Sequence, residues 1–379
     1  METNLKWNYR ISFALLSFIL ATLWPGLLLA QAVSDRFKQI DKDGDGKLSI
    51  SEAGTLGFFK PADANRDGFV TLEEAEAFSK KISTPSAVSP IRNSGMEGDG
   101  AAPVFHWPVP AIKISESECP IQSLDTASTD GRALRAFWRK PSGAGSFPAI
   151  VFVHGGLTQF PEKSLRQHLT DNPVITRFLS LDYAVVMATF RTYEHDVQSR
   201  KPIEDVRAIL QQAAMLPQVD PRRIALYGGS GGGSIALELG ADPEVSAIVA
   251  GEPATVLYTG MLTTGEYAPR LEIMASPDKY FTAELRKKTR EKLKSIRVPV
   301  MILHSDQHDL AKLNKPLFLP LMQEADVKVE YFEYPGYGHG FYFGGGDDRW
   351  GKGADKALVE QVVADVQKFL SKTLRISVR

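Results

Sequence analysis

The chain has 379 residues, of which 43% are hydrophobic and 23% charged, an ordinary globular composition with room for two domains and a large core. A formal net charge of -1 argues against nucleic acid as the main partner. The single cysteine, Cys119, excludes a disulfide framework and a cysteine-based metal site.

The N-terminus reads as an export signal. Lys6 and Arg10 give a positive start, Ile11 to Leu29 is almost wholly apolar, and Ala30-Gln31-Ala32 supplies a small-x-small cleavage pattern, with Val33 as the first mature residue. These features predict a secreted or periplasmic protein. The alternative is an uncleaved membrane anchor, since the apolar run approaches spanning length, although Pro25-Gly26 interrupts it.

Residues 33–80 hold two twelve-residue loops of one kind, Asp41 to Glu52 and Asp63 to Glu74. Calcium takes six to eight oxygens in flexible geometry. Asp41, Asp43 and Asp45 occupy positions 1, 3 and 5, Gly46 the sharp turn, Lys47 the position whose carbonyl ligates, and Glu52 position 12. Asp63, Asn65, Asp67, Gly68, Phe69 and Glu74 repeat the pattern, so this stretch resembles an EF-hand pair. Only Ala53 to Ala62 separates the loops, which argues for a calcium-stabilised accessory module rather than a calcium switch. Phe58 and Phe59 supply that module's own core. Residues 81–103 are rich in Ser, Pro, Gly and polar groups and read as a linker.

From about Val104, strand-like and helix-like runs alternate, which predicts a mainly parallel sheet flanked by helices over residues 104–379. Ala133–Arg139 alternates like an edge or antiparallel strand, and Pro148–Val153 is a continuous apolar run suited to a central strand. Lys163–Leu181 reads as helix, Ala184–Thr189 as a buried strand, and Pro202–Leu216 as helix. Ile224–Tyr227, Val245–Ala250, Val298–His304 and Val327–Tyr334 are further strands. A last helix near Ala354–Leu370 places Leu358, Val362, Val366, Phe369 and Leu370 on one face. Residues 254–297 form a charged, helix-prone insertion that is expected to cap a site.

The chemistry gathers at Tyr227-Gly228-Gly229-Ser230-Gly231-Gly232-Gly233, where a strand-type run meets helix-forming residues through Gly-x-Ser-x-Gly. That is the setting of a nucleophile elbow, a turn so tight that the serine sits in strained backbone and its neighbours must lack side chains. Two further segments fit this reading. His154-Gly155-Gly156 follows a buried strand, and Tyr334-Pro335-Gly336-Tyr337-Gly338-His339-Gly340-Phe341 places a glycine-flanked histidine after the final strand. A serine hydroxyl needs such a base, so His339 is the candidate.

Together these motifs resemble the α/β-hydrolase superfamily, most nearly the dienelactone-hydrolase and prolyl-oligopeptidase-like branch, with an EF-hand pair ahead of it. The resemblance implies an α/β-hydrolase fold, a Ser230–His339–Asp triad, and an oxyanion hole at Gly155, Gly156 and Gly231. His154 itself is structural in this reading. The implied acid follows the Val298–Leu303 strand, in His304-Ser305-Asp306-Gln307-His308-Asp309, where Asp309 is the first choice and Asp306 the alternative. Dienelactone hydrolases proper use cysteine where this chain has Ser230, and there is no room for the propeller of a prolyl oligopeptidase.

The sequence therefore predicts an exported serine hydrolase of carboxylic esters, acting on a small-molecule ester or a short peptide. Calcium is the ion expected in the EF-hand loops, and no cofactor is expected to be needed for catalysis. A serine peptidase, or a calcium-dependent binding protein with an inactive hydrolase domain, are the alternatives. Arg191, Glu194, His195 and Asp196 follow a buried strand and read as substrate contacts or solvated loop charges. Phe341, Tyr342 and Phe343 read as pocket lining or core.

Overall fold

A computed structural model describes residues 33–34, 37–38, 40–53, 59–83, 105–193, 196–264, 267–345 and 351–376. The proposed export signal, the greater part of the linker, Phe58, Glu194 and His195 lie outside them. Among the described residues no helix is long and apolar enough to cross a membrane. The chain divides into two compact units, with the boundary at Ser86.

In the first unit the two acidic loops lead into short strands, β1 (Lys47–Ser49) and β2 (Phe69–Thr71), which pair antiparallel with Leu48 opposite Val70. Those two side chains are buried with Phe37, Ala53, Phe59 and Ala62, a core just large enough to hold the loops back to back. A helix, Leu72–Ser83, leaves the second loop.

The second unit is built on eight strands. They are β3 (Gln122–Ala127), β4 (Ala133–Arg139), β5 (Phe147–Val153), β6 (Ala184–Ala188), β7 (Val219–Gly229), β8 (Ala247–Gly251), β9 (Val300–His304) and β10 (Val329–Glu333). Their order across the sheet is β10-β9-β8-β7-β5-β6-β4-β3. The six from β10 to β6 run parallel, while β4 and β3 join antiparallel at one edge.

The apolar runs explain why the central strands lie inside. Along β5, Ala149, Val151 and Val153 join the core on one face, and Ile150 and Phe152 join the core on the other. Along β7, Ile224 and Leu226 go one way, Ala225 and Tyr227 the other. Both faces are covered by helices, as a parallel sheet requires. The last helix, Lys356–Thr373, buries Leu358, Val362, Val366, Phe369 and Leu370 against the sheet, the face read from its periodicity. Its start is capped by Asp355, whose carboxylate accepts from the Leu358 N–H at 2.9 Å.

Two local departures from the sequence reading have physical causes. The Lys163–Leu181 helix is two helices, Glu162–Asp171 and Pro173–Ser180, because Pro173 forces Asn172 into extended backbone (ψ 122). The Asn172 side chain then caps the second helix by accepting from the Val174 and Ile175 N–H groups. β3 reads Gln-Ser-Leu-Asp-Thr-Ala, too polar for an apolar-run argument, and is an outer strand with Leu124 its one buried residue. Between β8 and β9 the expected insertion is helical, with Thr255–Tyr258, Tyr267–Ala275, Pro277–Tyr280 and Ala283–Ser295.

Candidate active site

β7 ends at Gly229, and the helix Gly231–Glu238 starts one residue after Ser230. Ser230 itself has φ 52 and ψ -117, outside the regions that side-chain-bearing residues normally adopt. Two hydrogen bonds hold it there, from the Ser230 N–H to the Gly251 carbonyl (2.8 Å) and from the Ala254 N–H to the Ser230 carbonyl (2.9 Å). A helix leaves its first N–H groups without intrahelical acceptors, so the Gly231 amide is a free donor of the kind that stabilises anions.

The turn after β5 packs directly on this elbow. A Cβ on Gly155 would stand 3.4 Å from the Ser230 Cβ, and one on Gly231 would stand 2.3 Å from the Gly156 carbonyl oxygen. Gly231 is therefore glycine because the neighbouring backbone leaves no space for a methyl group. His154 is buried and stacked between Phe160 (centroids 3.8 Å apart) and Phe190 (4.3 Å). Burial holds its pKa down to about 3, so it is a neutral structural imidazole. The sequence-based oxyanion candidates Gly155, Gly156 and Gly231 are thus brought beside Ser230.

His339 lies on the loop after β10, half-buried at the same end of the sheet. Its partner is not the expected one. Nδ1 lies 2.7 Å from Oε2 of Glu252, which is fully buried. Asp309 instead receives the Lys312 ammonium at 2.9 Å, and Asp306 accepts from the Gly336 N–H (2.7 Å) and the Gln307 side-chain amide (2.9 Å). Asp309 and Asp306 are therefore both corrected: the first is a surface ion pair, the second a strut for the loop that carries His339. Neither is the hydrogen-bond partner of His339 Nδ1.

Glu252 reaches His339 because of sheet order. β8 is the immediate neighbour of β7, and Gly251 is in register with Gly229. The residues that follow, Glu252 and Ser230, therefore emerge side by side, and Glu252 also has a left-handed φ of 40. The Glu252 N–H donates to the Leu303 carbonyl (2.8 Å), and its Oε1 accepts from the Ser305 N–H (3.3 Å). The usable sequence signal was Gly251-Glu252-Pro253 at the end of a buried strand, where a charged residue has no packing reason to be.

Two more rings enclose the imidazole. His308 stacks on His339 with centroids 4.0 Å apart, and its own pKa is pushed down to about 3 by burial, then by the nearby His339 and Arg270. The Tyr342 hydroxyl faces the other imidazole nitrogen, Nε2, at 3.3 Å. Of the three aromatics after His339, Phe341 and Tyr342 are buried in the core on that face of the sheet, and Phe343 packs against it. Arg191 is not a solvated charge. It bridges the fully buried Asp205 (Nη2 to Oδ1, 2.6 Å) and Asp130 (Nη1 to Oδ2, 2.6 Å). Asp196 accepts from the Gln198 N–H in a surface turn.

In the first unit, Asp41, Asp43 and Asp45 each offer an oxygen, all within 4.8 Å of one another. Glu52 folds back over its loop to accept from the Ser49 N–H (2.9 Å), the Ser49 hydroxyl (2.7 Å) and the Lys42 N–H (2.8 Å), which together hold its pKa down to about 2. Glu74 does the same with Ala64 (3.2 Å) and Thr71 (3.0 Å). Position 4 is left-handed in both loops, as Gly44 (φ 73) and Arg66 (φ 60). Asp63 Oδ1 is buried with no hydrogen-bond partner among the described residues, an orphaned acceptor that a cation would satisfy. The donor set is all oxygen and fits a hard cation.

A family model described as BD-FAE, an α/β-hydrolase esterase family, matches residues 137–316. An EF-hand model matches residues 33–52 and 58–79. No curated protein matches the sequence. Among solved structures, a brefeldin A esterase, a bacterial homologue of human hormone-sensitive lipase, is 18% identical with a TM-score of 0.50, over 69% of this chain and 78% of that one. An acylaminoacyl peptidase is 16% identical with a TM-score of 0.51, and a puromycin hydrolase 18% identical with a TM-score of 0.50. Each overlaps 69% of this chain but only 42% and 40%, respectively, of its own. At such identities the likeness is one of fold. The second unit has an α/β-hydrolase fold, residues 137–316 of which match the BD-FAE model, and an EF-hand region lies ahead of it in the sequence.

Proposed function

We propose that this protein is a serine hydrolase of carboxylic esters, with Ser230 as nucleophile, His339 as base and Glu252 as the acid that orients it. The observation that carries the reading is the 2.7 Å pair between His339 Nδ1 and a fully buried Glu252, which ends the strand next to the elbow of Ser230. With Nδ1–H committed to the carboxylate, the lone pair of His339 lies on Nε2, the nitrogen that must receive a proton. Ser230 attacks the ester carbonyl as that proton moves to Nε2, and the imidazolium then protonates the departing alcohol. Water, deprotonated by the same nitrogen, releases the acid. The developing oxyanion is placed against the Gly231 N–H and the Gly155–Gly156 turn, where each such donor is typically worth about 3 kcal/mol.

Calcium belongs to the first unit. Asp41, Asp43, Asp45, the Lys47 carbonyl and Glu52 hold one ion, and Asp63, Asn65, Asp67, the Phe69 carbonyl and Glu74 a second. Bound there, calcium neutralises clustered carboxylates and stabilises the small core. It takes no part in ester cleavage. Export is part of the proposal and is supported by Lys6, Arg10, the apolar Ile11 to Leu29 run and Ala30-Gln31-Ala32.

The test is hydrolysis of short- and long-acyl p-nitrophenyl esters by the protein from Val33, with and without EDTA, beside Ser230→Ala. Turnover that disappears in Ser230→Ala and survives EDTA is expected. Labelling of Ser230 by a fluorophosphonate without ester turnover moves the substrate class to peptides. Absence of both overturns the hydrolase reading.

A further inference from the structure

Tyr342 is buried, only 3% exposed, and held from several sides. Its ring lies against the ends of β7 and β8, where a Cβ on Gly229 would be 2.1 Å from its Cε2 and one on Gly251 would be 2.2 Å from its Cγ. Both strands that deliver the proposed catalytic residues thus finish in glycine where this ring passes. The Tyr342 carbonyl accepts from the buried Tyr227 hydroxyl at 2.5 Å, which ties the backbone down as well. Clamped in this way, the phenol oxygen stands 3.3 Å from His339 Nε2, with the two rings edge to face.

The direction of that bond follows from the other side of the imidazole. Glu252 at 2.7 Å requires a proton on Nδ1, and a neutral imidazole then has a bare lone pair on Nε2. Burial pushes the Tyr342 phenol well above its ordinary value, so it keeps its proton. Tyr342 is therefore the donor and Nε2 the acceptor.

We propose that Tyr342 is a positioning residue of the hydrolase site, whose clamped hydroxyl holds His339 Nε2 as a proton acceptor until the Ser230 hydroxyl replaces it. This inference rests on the Ser230–His339–Glu252 reading and adds to it a fixed orientation and tautomer for the base. Protonation of Nε2 breaks the bond from Tyr342, so the bond favours neutral His339. Glu252 acts in the opposite sense, favouring the imidazolium. His308, stacked on the same ring, is itself held neutral, with Arg270 of the helix Tyr267–Ala275 adding to that bias.

Tyr342→Phe tests the inference, because it keeps the ring between Gly229 and Gly251 and removes only the hydroxyl. Because the Ser230 hydroxyl has replaced this bond before proton transfer, its loss is expected to leave kcat on the pH plateau within about twofold. KM is expected to stay unchanged, since the buried ring does not meet substrate. The acidic limb of kcat/KM is expected to move up by about half a pH unit to one unit. An unchanged acidic limb overturns the proposal, as does a change confined to KM. A readout independent of turnover is the NMR titration of the His339 ring in the wild-type protein and in Tyr342→Phe. An upward shift of its midpoint supports the role, and identical titrations contradict it. If wild-type protein turns over no ester, the hydrolase reading fails on its own while the titration still decides the hydrogen bond.

Discussion

Ser230 and Glu252 stand side by side, each one residue beyond the in-register pair Gly229 and Gly251 on adjacent parallel strands, and each in left-handed backbone (φ 52 and 40). One relationship of register therefore places both the proposed nucleophile and the proposed acid. The hydrogen bond from the Ser230 N–H to the Gly251 carbonyl locks the two strand ends together.

The first prediction separates the three carboxylates. Glu252→Gln keeps the shape of the side chain but removes the charge that selects the Nδ1–H tautomer, and should lower kcat by about 10²–10⁴-fold. Asp309→Asn breaks only a surface pair with Lys312, whose worth is about 0–1 kcal/mol, and should leave kcat within roughly twofold. Asp306→Asn should weaken the loop at Gly336 without removing the base. Steady-state ester kinetics on the three variants checks the ranking.

How much of this was legible in the sequence depends on whether a feature is local. Ser230, His339 and the His154–Gly156 turn are each announced by glycines within a few residues and by an apolar strand just before them. The calcium loops are likewise self-contained. Glu252 was not legible in the same way, because its role depends on which strand lies next to β7, a property of sheet order. Chain order puts the expected acid after β9, whereas the carboxylate that meets His339 follows β8. β3 was missed because a polar outer strand lacks the apolar run that marks β5 or β8. Arg191 was misjudged because its partners, Asp130 and Asp205, are 61 and 14 residues away.

The second prediction concerns acid stability. His154 and His168 are buried and neutral, with pKa values held down to about 3 and about 4, in both cases chiefly by burial. Unfolding returns each to about 6.5. The unfolded chain therefore binds more protons between those values, so this contribution is complete above about pH 6.5 and is lost as pH falls towards 4. Each histidine should add a slope of up to about 1.4 kcal/mol per pH unit in that window. Urea unfolding between pH 7 and 4.5 measures it, and His168→Gln should flatten the slope.

A third prediction follows from Arg191. Removing it by Arg191→Met leaves Asp205, wholly buried, without its partner, and should cost about 3–5 kcal/mol in unfolding free energy. Ester kinetics of the folded variant should stay within about twofold of wild type, since the cluster does not touch Ser230, His339 or Glu252. A large fall in kcat at unchanged stability would instead assign Arg191 to the site.

The fourth prediction concerns calcium. Glu52→Gln and Glu74→Gln each weaken the position-12 ligand, so calorimetry should show the loss of one ion in each variant. Chelation should lower the melting temperature of the EF-hand unit while ester hydrolysis persists.

The most direct measurement is fluorophosphonate labelling followed by peptide mass spectrometry on the wild-type protein, Ser230→Ala, Glu252→Gln and Asp309→Asn. The account predicts one adduct, on Ser230, absent from Ser230→Ala, formed far more slowly in Glu252→Gln and at the wild-type rate in Asp309→Asn. An adduct elsewhere, or slow labelling of Asp309→Asn beside fast labelling of Glu252→Gln, would contradict it.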